Sequence, residues 1–210
     1  MVGGKVLVLG GIRSGKSAYA ESLLDEAERV RYVATAAADE GDAAFAERIA
    51  AHRFRRPASW ETVETGGEPG GLIETISAAD VPLLVDDLGG WAAGLLGRTD
   101  AGELVAQLAE AIERSNVGVV LVSPEVGLSV VPPTEAGVEF ADLVGRLNQA
   151  VARVCDTVTL IVAGQPTVLK KGRPAPAPKK VVQQEALTEQ TQQLPIVQTG
   201  LTVIAPGMDL

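Results

Sequence analysis

Five short runs rich in Val, Leu and Ile recur along the chain with helix-length segments between them. They are "KVLVLG" (5–10), "VRYVAT" (30–35), "PLLVDD" (82–87), "VGVVLVS" (117–123) and "DTVTLIVAG" (156–164). A nearly continuous apolar run has no face left for water, so both faces must be covered, which is the position of a strand in a parallel sheet flanked by helices. Helical patterns fill the intervals at 16–28, 41–55, 70–79, 88–97, 101–115 and 135–154. In the last of these Phe140, Leu143, Val144, Leu147, Val151 and Val154 follow a 3.6-residue period and form one apolar stripe. The sequence therefore predicts an α/β fold, a mostly parallel sheet with crossover helices on both faces.

The first run leads directly into "GGIRSGKSAYAESLL", which places Gly10, four intervening residues and then Gly15-Lys16-Ser17 at a strand-to-helix turn. That is the P-loop pattern, and its context makes the fold P-loop NTPase-like. Glycine at 10 and 15 lets the backbone turn where a side chain would clash, so successive amides of Gly10, Gly11, Ile12, Arg13, Ser14 and Gly15 can face one anion. Lys16 would reach the terminal phosphates of GTP or ATP, the Ser17 hydroxyl would ligate Mg²⁺, and the helix that follows adds the positive end of its dipole. Such a loop needs a carboxylate from another strand end to hold the metal. Asp86, at the end of "PLLVD" with Asp87 beside it, is the candidate; the alternative is that both merely begin the next helix.

Composition narrows the partners. A formal net charge of −9 argues against a general nucleic-acid binder, while one phosphate loop can still bind a nucleotide against that background. Aromatic residues are only 3%, so the core of this 210-residue chain has to be aliphatic. Cys155 is the single cysteine, which excludes an intrachain disulfide. No apolar stretch approaches the ~20 residues that span a bilayer, and the first residues are interrupted by glycine too soon for a signal peptide. The expected location is the cytoplasm. Residues 1–170 read as the domain; "KKGRPAPAPKK" (170–180) opens a Pro/Ala linker, and 171–210 as a whole reads as linker and polar tail.

The one histidine, His52, lies in "AERIAAHRFRRPASWETVE". On a helix over 41–55 it shares a face with Phe45 and Ile49, as a histidine at the margin of a core would. Against that stands its company: Arg48 one turn back, then Arg53, Arg55 and Arg56, the densest cationic segment in an acidic chain. Cations around an imidazole disfavour its protonation and lower its pKa below about 6.5. A neutral imidazole can attack a phosphorus atom whose oxygens the arginines hold. The residues alone leave two readings open, a phosphoryl- or nucleotidyl-carrying histidine and a purely phosphate-binding arginine cluster.

In combination these segments resemble the bifunctional adenosylcobinamide kinase/adenosylcobinamide-phosphate guanylyltransferases of cobalamin biosynthesis. The resemblance runs in order over 3–170, through "LGGIRSGKSAYAE", "YVATA", "RIAAHRFRRPASWETVE", "LLVDDLGGW", "FADLVGRLNQAVA" and "DTVTLIVAGQPTVLK". It implies a kinase step on the aminopropanol arm of adenosylcobinamide and a transfer of GMP from GTP onto the new phosphate, through a GMP–histidine intermediate at His52. It further implies nucleotide contacts at Gly10 to Ser17, at Ala34, Thr35 and Ala36, at Arg53, Phe54, Arg55 and Arg56, and at Glu64 and Asp86. A homo-oligomer, a trimer, is the implied assembly. Three segments depart from the family pattern: Pro124 stands where an asparagine is usual, "DLGGW" replaces a "CLTLW"-like stretch, and "GLSVVPPTEAG" carries an extra proline and few basic residues. Other readings are a guanylyltransferase with weak kinase activity, a P-loop regulatory protein that uses NTP as a switch, and an unrelated small-molecule kinase.

Overall fold

The computed structural model describes residues 4–35, 57, 59–65 and 68–172. The expected helix over 41–55 and the tail beyond residue 172 lie outside the described residues.

Seven strands form one sheet: β1 (Lys5–Gly10), β2 (Val30–Ala34), β3 (Trp60–Glu64), β4 (Leu83–Asp86), β5 (Val119–Pro124), β6 (Thr157–Val162) and β7 (Gln165–Lys170). Their order is β3-β2-β4-β5-β1-β6-β7. All neighbours pair in parallel except β6 and β7. Among the described residues five helices accompany them: α1 (Lys16–Ser22), α2 (Pro69–Ser77), α3 (Leu88–Ala93), α4 (Ala101–Arg114) and α5 (Glu135–Val154).

The aliphatic strands do what their composition requires. Leu7, Leu83, Val85, Leu121 and Val158 face one layer, where they meet Leu72 and Ile76 of α2, Trp91 of α3, Leu108 and Ile112 of α4 and Leu143, Leu147 and Val151 of α5. Val6, Val8, Leu84, Val120 and Ile161 face the other, with Ala20 of α1 and with Leu23 and Leu24. The expected stripe of α5 is on the first of these faces: Leu143, Val144, Leu147 and Val151 are buried, with Phe140 and Val154 packed at its margin. The sheet is thus covered on both faces, as a parallel sheet must be.

Two strands were not among the five apolar runs. β3 is an edge strand with Glu61 and Glu64 exposed, so it lacks the continuous apolar signature. β7 is exposed along its whole length and contains Pro166, which an edge strand tolerates because one side of its backbone has no partner. The run 156–164 is a strand only to Val162. Ala163 (φ 49°) and Gly164 (φ 74°) then form a tight hairpin turn of the kind whose two central residues both need positive φ. Two helices are shorter than their patterns. α1 stops at Ser22, and Leu24 and Ala27 tighten the chain with bonds to Glu21 O (3.0 Å) and Leu24 O (2.9 Å). α3 gives way at Gly94, and a positive φ at Gly97 (73°) turns the chain away.

The C-terminal end of α5 is closed from β7. Lys170 Nζ donates to the carbonyls of Ala152 (3.0 Å), Arg153 (3.1 Å) and Cys155 (2.6 Å), groups that a helix end leaves without internal donors. Beside it Cys155 is 1% exposed, and burial pushes its thiol up to about 12. The protonated thiol is therefore favoured in the folded chain. Above about pH 8.5 the unfolded chain ionises while the folded one does not, so this residue's contribution to stability is full below that pH and is lost progressively up to about pH 12. Native protein at pH 8 is expected to resist iodoacetamide, and denatured protein to take up one equivalent at its single cysteine. Rapid alkylation of the native form would contradict the burial. Among the described residues no helix is long and apolar enough to cross a membrane.

Candidate active site

The chain leaves β1 toward the face covered by α1 and leaves β5 toward the face covered by α5. β1 and β5 are neighbours, so their C-terminal ends open a crevice between loops that diverge, the place where open α/β sheets bind ligands.

The loop from Gly10 to Ser17 fills one side of that crevice. A Cβ at Gly10 would lie 2.4 Å from Ser14 Oγ and 2.8 Å from the Ile161 carbonyl, so only glycine fits the end of this strand. Arg13 (φ 57°) and Gly15 (φ 93°) both adopt left-handed backbone, which folds the loop back on itself. Gly15 caps α1 without a side-chain acceptor, leaving the first-turn amides available to an outside anion. Ser14 Oγ is buried with no hydrogen-bond partner among the described residues, an orphaned donor inside the loop. Two outside contacts brace the loop: Glu125 N donates to Gly10 O (3.1 Å), and Gly164 N of the β6–β7 turn donates to Ser14 O (2.8 Å). Lys16 Nζ lies over the loop with only a long contact to Gly11 O (3.4 Å).

Facing this loop is the end of β4. Asp86 accepts from Ser17 Oγ (3.3 Å) through one carboxylate oxygen and from Tyr32 OH (3.2 Å) through the other. The pair of hard oxygen donors on Ser17 and Asp86 suits Mg²⁺, which takes one or two protein oxygens and completes its octahedron with water and phosphate. The neighbouring Asp87 serves the helix instead: its Oδ1 accepts from Gly90 N (2.9 Å) and caps α3. Burial raises its pKa, and the Asp86 charge adds to the rise. The Gly90 and Gly89 amides and the Lys16 charge oppose it.

Strand register puts Ala34, Thr35 and Glu64 on the same edge as Asp86. Glu64 is level with Ala34, and Ala34 with Asp86, across β3, β2 and β4. Thr35 follows at once; it is buried, and its hydroxyl donates to the Asp87 carbonyl, tying the end of β2 to the end of β4. Thr65 N donates to Ala34 O (3.1 Å) and ties β3 in as well. Ala36, His52, Arg53, Phe54, Arg55 and Arg56 lie outside the described residues.

Several participants were not among the expected site residues. Tyr32 points a polar tip at Asp86 from a buried strand; it opens the "YVATA" segment, but nothing in that segment marks a contact with Asp86. Asn148 of α5 accepts from Ser123 Oγ (2.6 Å) and donates to Pro124 O (3.0 Å), which fixes the end of β5 where it supports Gly10. The departures at 124 and 87–90 prove to be one feature. A Cβ at Gly89 would lie 2.8 Å from the Pro124 ring and 3.1 Å from Asp87 Oδ1, so the proline packs on a glycine that leaves room for it.

A parallel sheet whose first strand runs into Gly10 to Ser17, faced by a carboxylate from another strand end, defines a P-loop nucleotide-binding protein. The family described as cobinamide kinase / cobinamide phosphate guanyltransferase matches residues 6–169. The chain belongs to that family, whose enzymes serve cobalamin biosynthesis. It is similar to the bifunctional adenosylcobalamin biosynthesis protein CobP of Pseudomonas aeruginosa, at 44% identity over 171 residues, 78% of this chain and 96% of the relative. It is similar also to the bifunctional adenosylcobalamin biosynthesis proteins CobU of Salmonella typhimurium and Escherichia coli, each 35% identical over 176 residues, 76% of this chain and 96% of the relative.

Proposed function

We propose that this chain phosphorylates adenosylcobinamide with GTP or ATP and then transfers GMP from GTP to the product, giving adenosylcobinamide-GDP and pyrophosphate. The observation that carries the reading is the Ser17–Asp86 contact of 3.3 Å across a braced P-loop, in a chain of this family. In the first step the loop amides hold the phosphates, and Lys16 meets the charge that builds up as the γ-phosphoryl leaves. Mg²⁺, when bound at Ser17 and Asp86, neutralises phosphate charge and aligns the transfer. The hydroxyl of the aminopropanol arm takes the phosphoryl group and gives up its proton.

In the second step an imidazole nitrogen of His52 forms a bond to the α-phosphorus of GTP as the bond to the pyrophosphate oxygen breaks. The arginines at 53, 55 and 56 hold the triphosphate oxygens during that exchange. A phosphate oxygen of adenosylcobinamide phosphate then displaces the imidazole, and the histidine returns to its neutral form. Glu64 and the row at Ala34, Thr35 and Ala36 would contact the nucleoside. Residues 1–170 constitute the catalytic domain and 171–210 a linker and tail. The enzyme would work in the cytoplasm as a homo-oligomer, with a trimer as the assembly the resemblance implies.

The test is incubation with GTP labelled at the α-phosphorus, with Mg²⁺, followed by denaturing electrophoresis of wild type and His52→Asn. The expected result is an acid-labile, base-stable label on the wild type and none on the variant. Label from the γ position alone would point to a phosphoryl carrier or kinase instead. An unlabelled wild type with intact nucleotide binding would remove the guanylyl step and leave a P-loop kinase or switch.

A further inference from the structure

Large aliphatic side chains are exposed at eight described positions, and five of them lie in the P-loop, at the end of β6 or in the loop that follows β5. β5, β1 and β6 lie side by side in parallel, with Gly10 level with Pro124 and with Ile161, so their C-terminal ends share one edge. Ile12 (90% exposed) leaves the end of β1, and Val162 (58%) is the last residue of β6. Leu128 (79%), Val130 (91%) and Val131 (75%) follow the end of β5. Leu128 is four residues beyond Pro124, so it stays within about 14 Å of that strand end.

The loop that carries the last three is pinned at both ends. Gly127 N donates to Glu125 Oε1 (2.7 Å), Ser129 Oγ donates to Val126 O (2.8 Å), and Thr134 caps α5 by accepting from Gly137 N (3.2 Å). Ser129 and both ends of the loop have partners within it, while its aliphatic side chains are exposed, the reverse of a surface loop shaped by water alone. Residues 126–134 include no charged side chain, in a chain with a formal net charge of −9.

The phosphates, hydroxyls and base edges of a nucleotide gain nothing from such a rim. The second reactant does. A corrinoid is a broad macrocycle edged with methyl groups and uncharged carboxamides, and its arm has to meet the phosphate held by Lys16 and Ser17. We propose that Leu128, Val130 and Val131, with Ile12 and Val162 at the margin, form the surface on which the corrinoid body of the acceptor rests while its arm enters the P-loop. This rests on the functional reading above. A second copy of the chain seated here would instead wall the acceptor off from the loop.

The double variant Val130→Ser/Val131→Ser tests it in the full-length protein, because both side chains are exposed and the fold does not depend on them. The KM for adenosylcobinamide is expected to rise about tenfold, from the lost burial of two isopropyl groups. The KM for GTP and the labelling from α-labelled GTP are expected to stay as in the wild type, and Val168→Ser on the exposed edge strand to change neither. An unchanged acceptor KM overturns the inference, as does an equal rise in both KM values. A smaller species in sedimentation would overturn it too, by showing that the surface holds subunits together. A wild type that turns over no cobinamide overturns the functional reading and this one with it; a wild type that does so with an insensitive loop overturns only this one.

Discussion

Lys16→Met is expected to slow phosphoryl transfer by about a thousandfold and to leave thermal stability unchanged within about 2 °C. The asymmetry follows from geometry. Among the described residues the ammonium's hydrogen bond is a long one of 3.4 Å to Gly11 O, so the folded loop does not depend on it. The conformation of the loop is set instead by Gly10, by the left-handed residues Arg13 and Gly15, and by the two outside bonds from Glu125 and Gly164. What the lysine supplies is positive charge directed at the phosphates, and methionine keeps its length while removing that charge. Single-turnover transfer of the γ-phosphate, alongside a melting curve, checks both halves. A variant that keeps more than about a tenth of the wild-type rate would show that the lysine does not stabilise the transition state.

The second large effect is one of stability. Asn148 is 7% exposed and sits between the Ser123 hydroxyl and the Pro124 carbonyl. Asn148→Leu fills similar volume but leaves the buried Ser123 hydroxyl and the half-buried Pro124 carbonyl without their partner, at up to about 1–3 kcal/mol each. A loss of about 3 kcal/mol would lower Tm by about 6–12 °C for a domain of this size. Ser123→Ala, which removes one end of the bridge and leaves the carbonyl bond intact, should cost about 1 kcal/mol. Denaturant titration of the two variants gives the comparison. Equal losses, or a Tm for Asn148→Leu within about 2 °C of wild type, would mean the bridge does not hold α5 to β5.

Much of this architecture was legible because burial leaves a mark on composition. β1, β2, β4, β5 and β6 are inner strands covered on both faces, and their runs rich in Val, Leu and Ile record it. β3 and β7 are edges; Glu61, Glu64 and Pro166 are compatible with a strand there, but they look like loop in isolation. The P-loop was legible for another reason, since a backbone that wraps an anion needs glycine at fixed intervals. Asp86 was legible by its place at a strand end. Tyr32, Ser123, Asn148 and Gly164 were not, because each acts through a partner distant in sequence and a hydrogen bond between α5 and β5 has no periodicity. Nor did the chain announce that its irregular proline and its extra glycine belong together.

That pairing bears on how such a chain can change over time. The ring of Pro124 occupies the space a methyl group on residue 89 would need, so the two positions cannot drift independently. A lineage that carries the proline is confined to glycine at 89 until the proline is replaced. One that carries a side chain at 89 has to lose it before the proline becomes acceptable. Changes at the two positions therefore have a fixed order, with the glycine arriving before the proline and leaving after it.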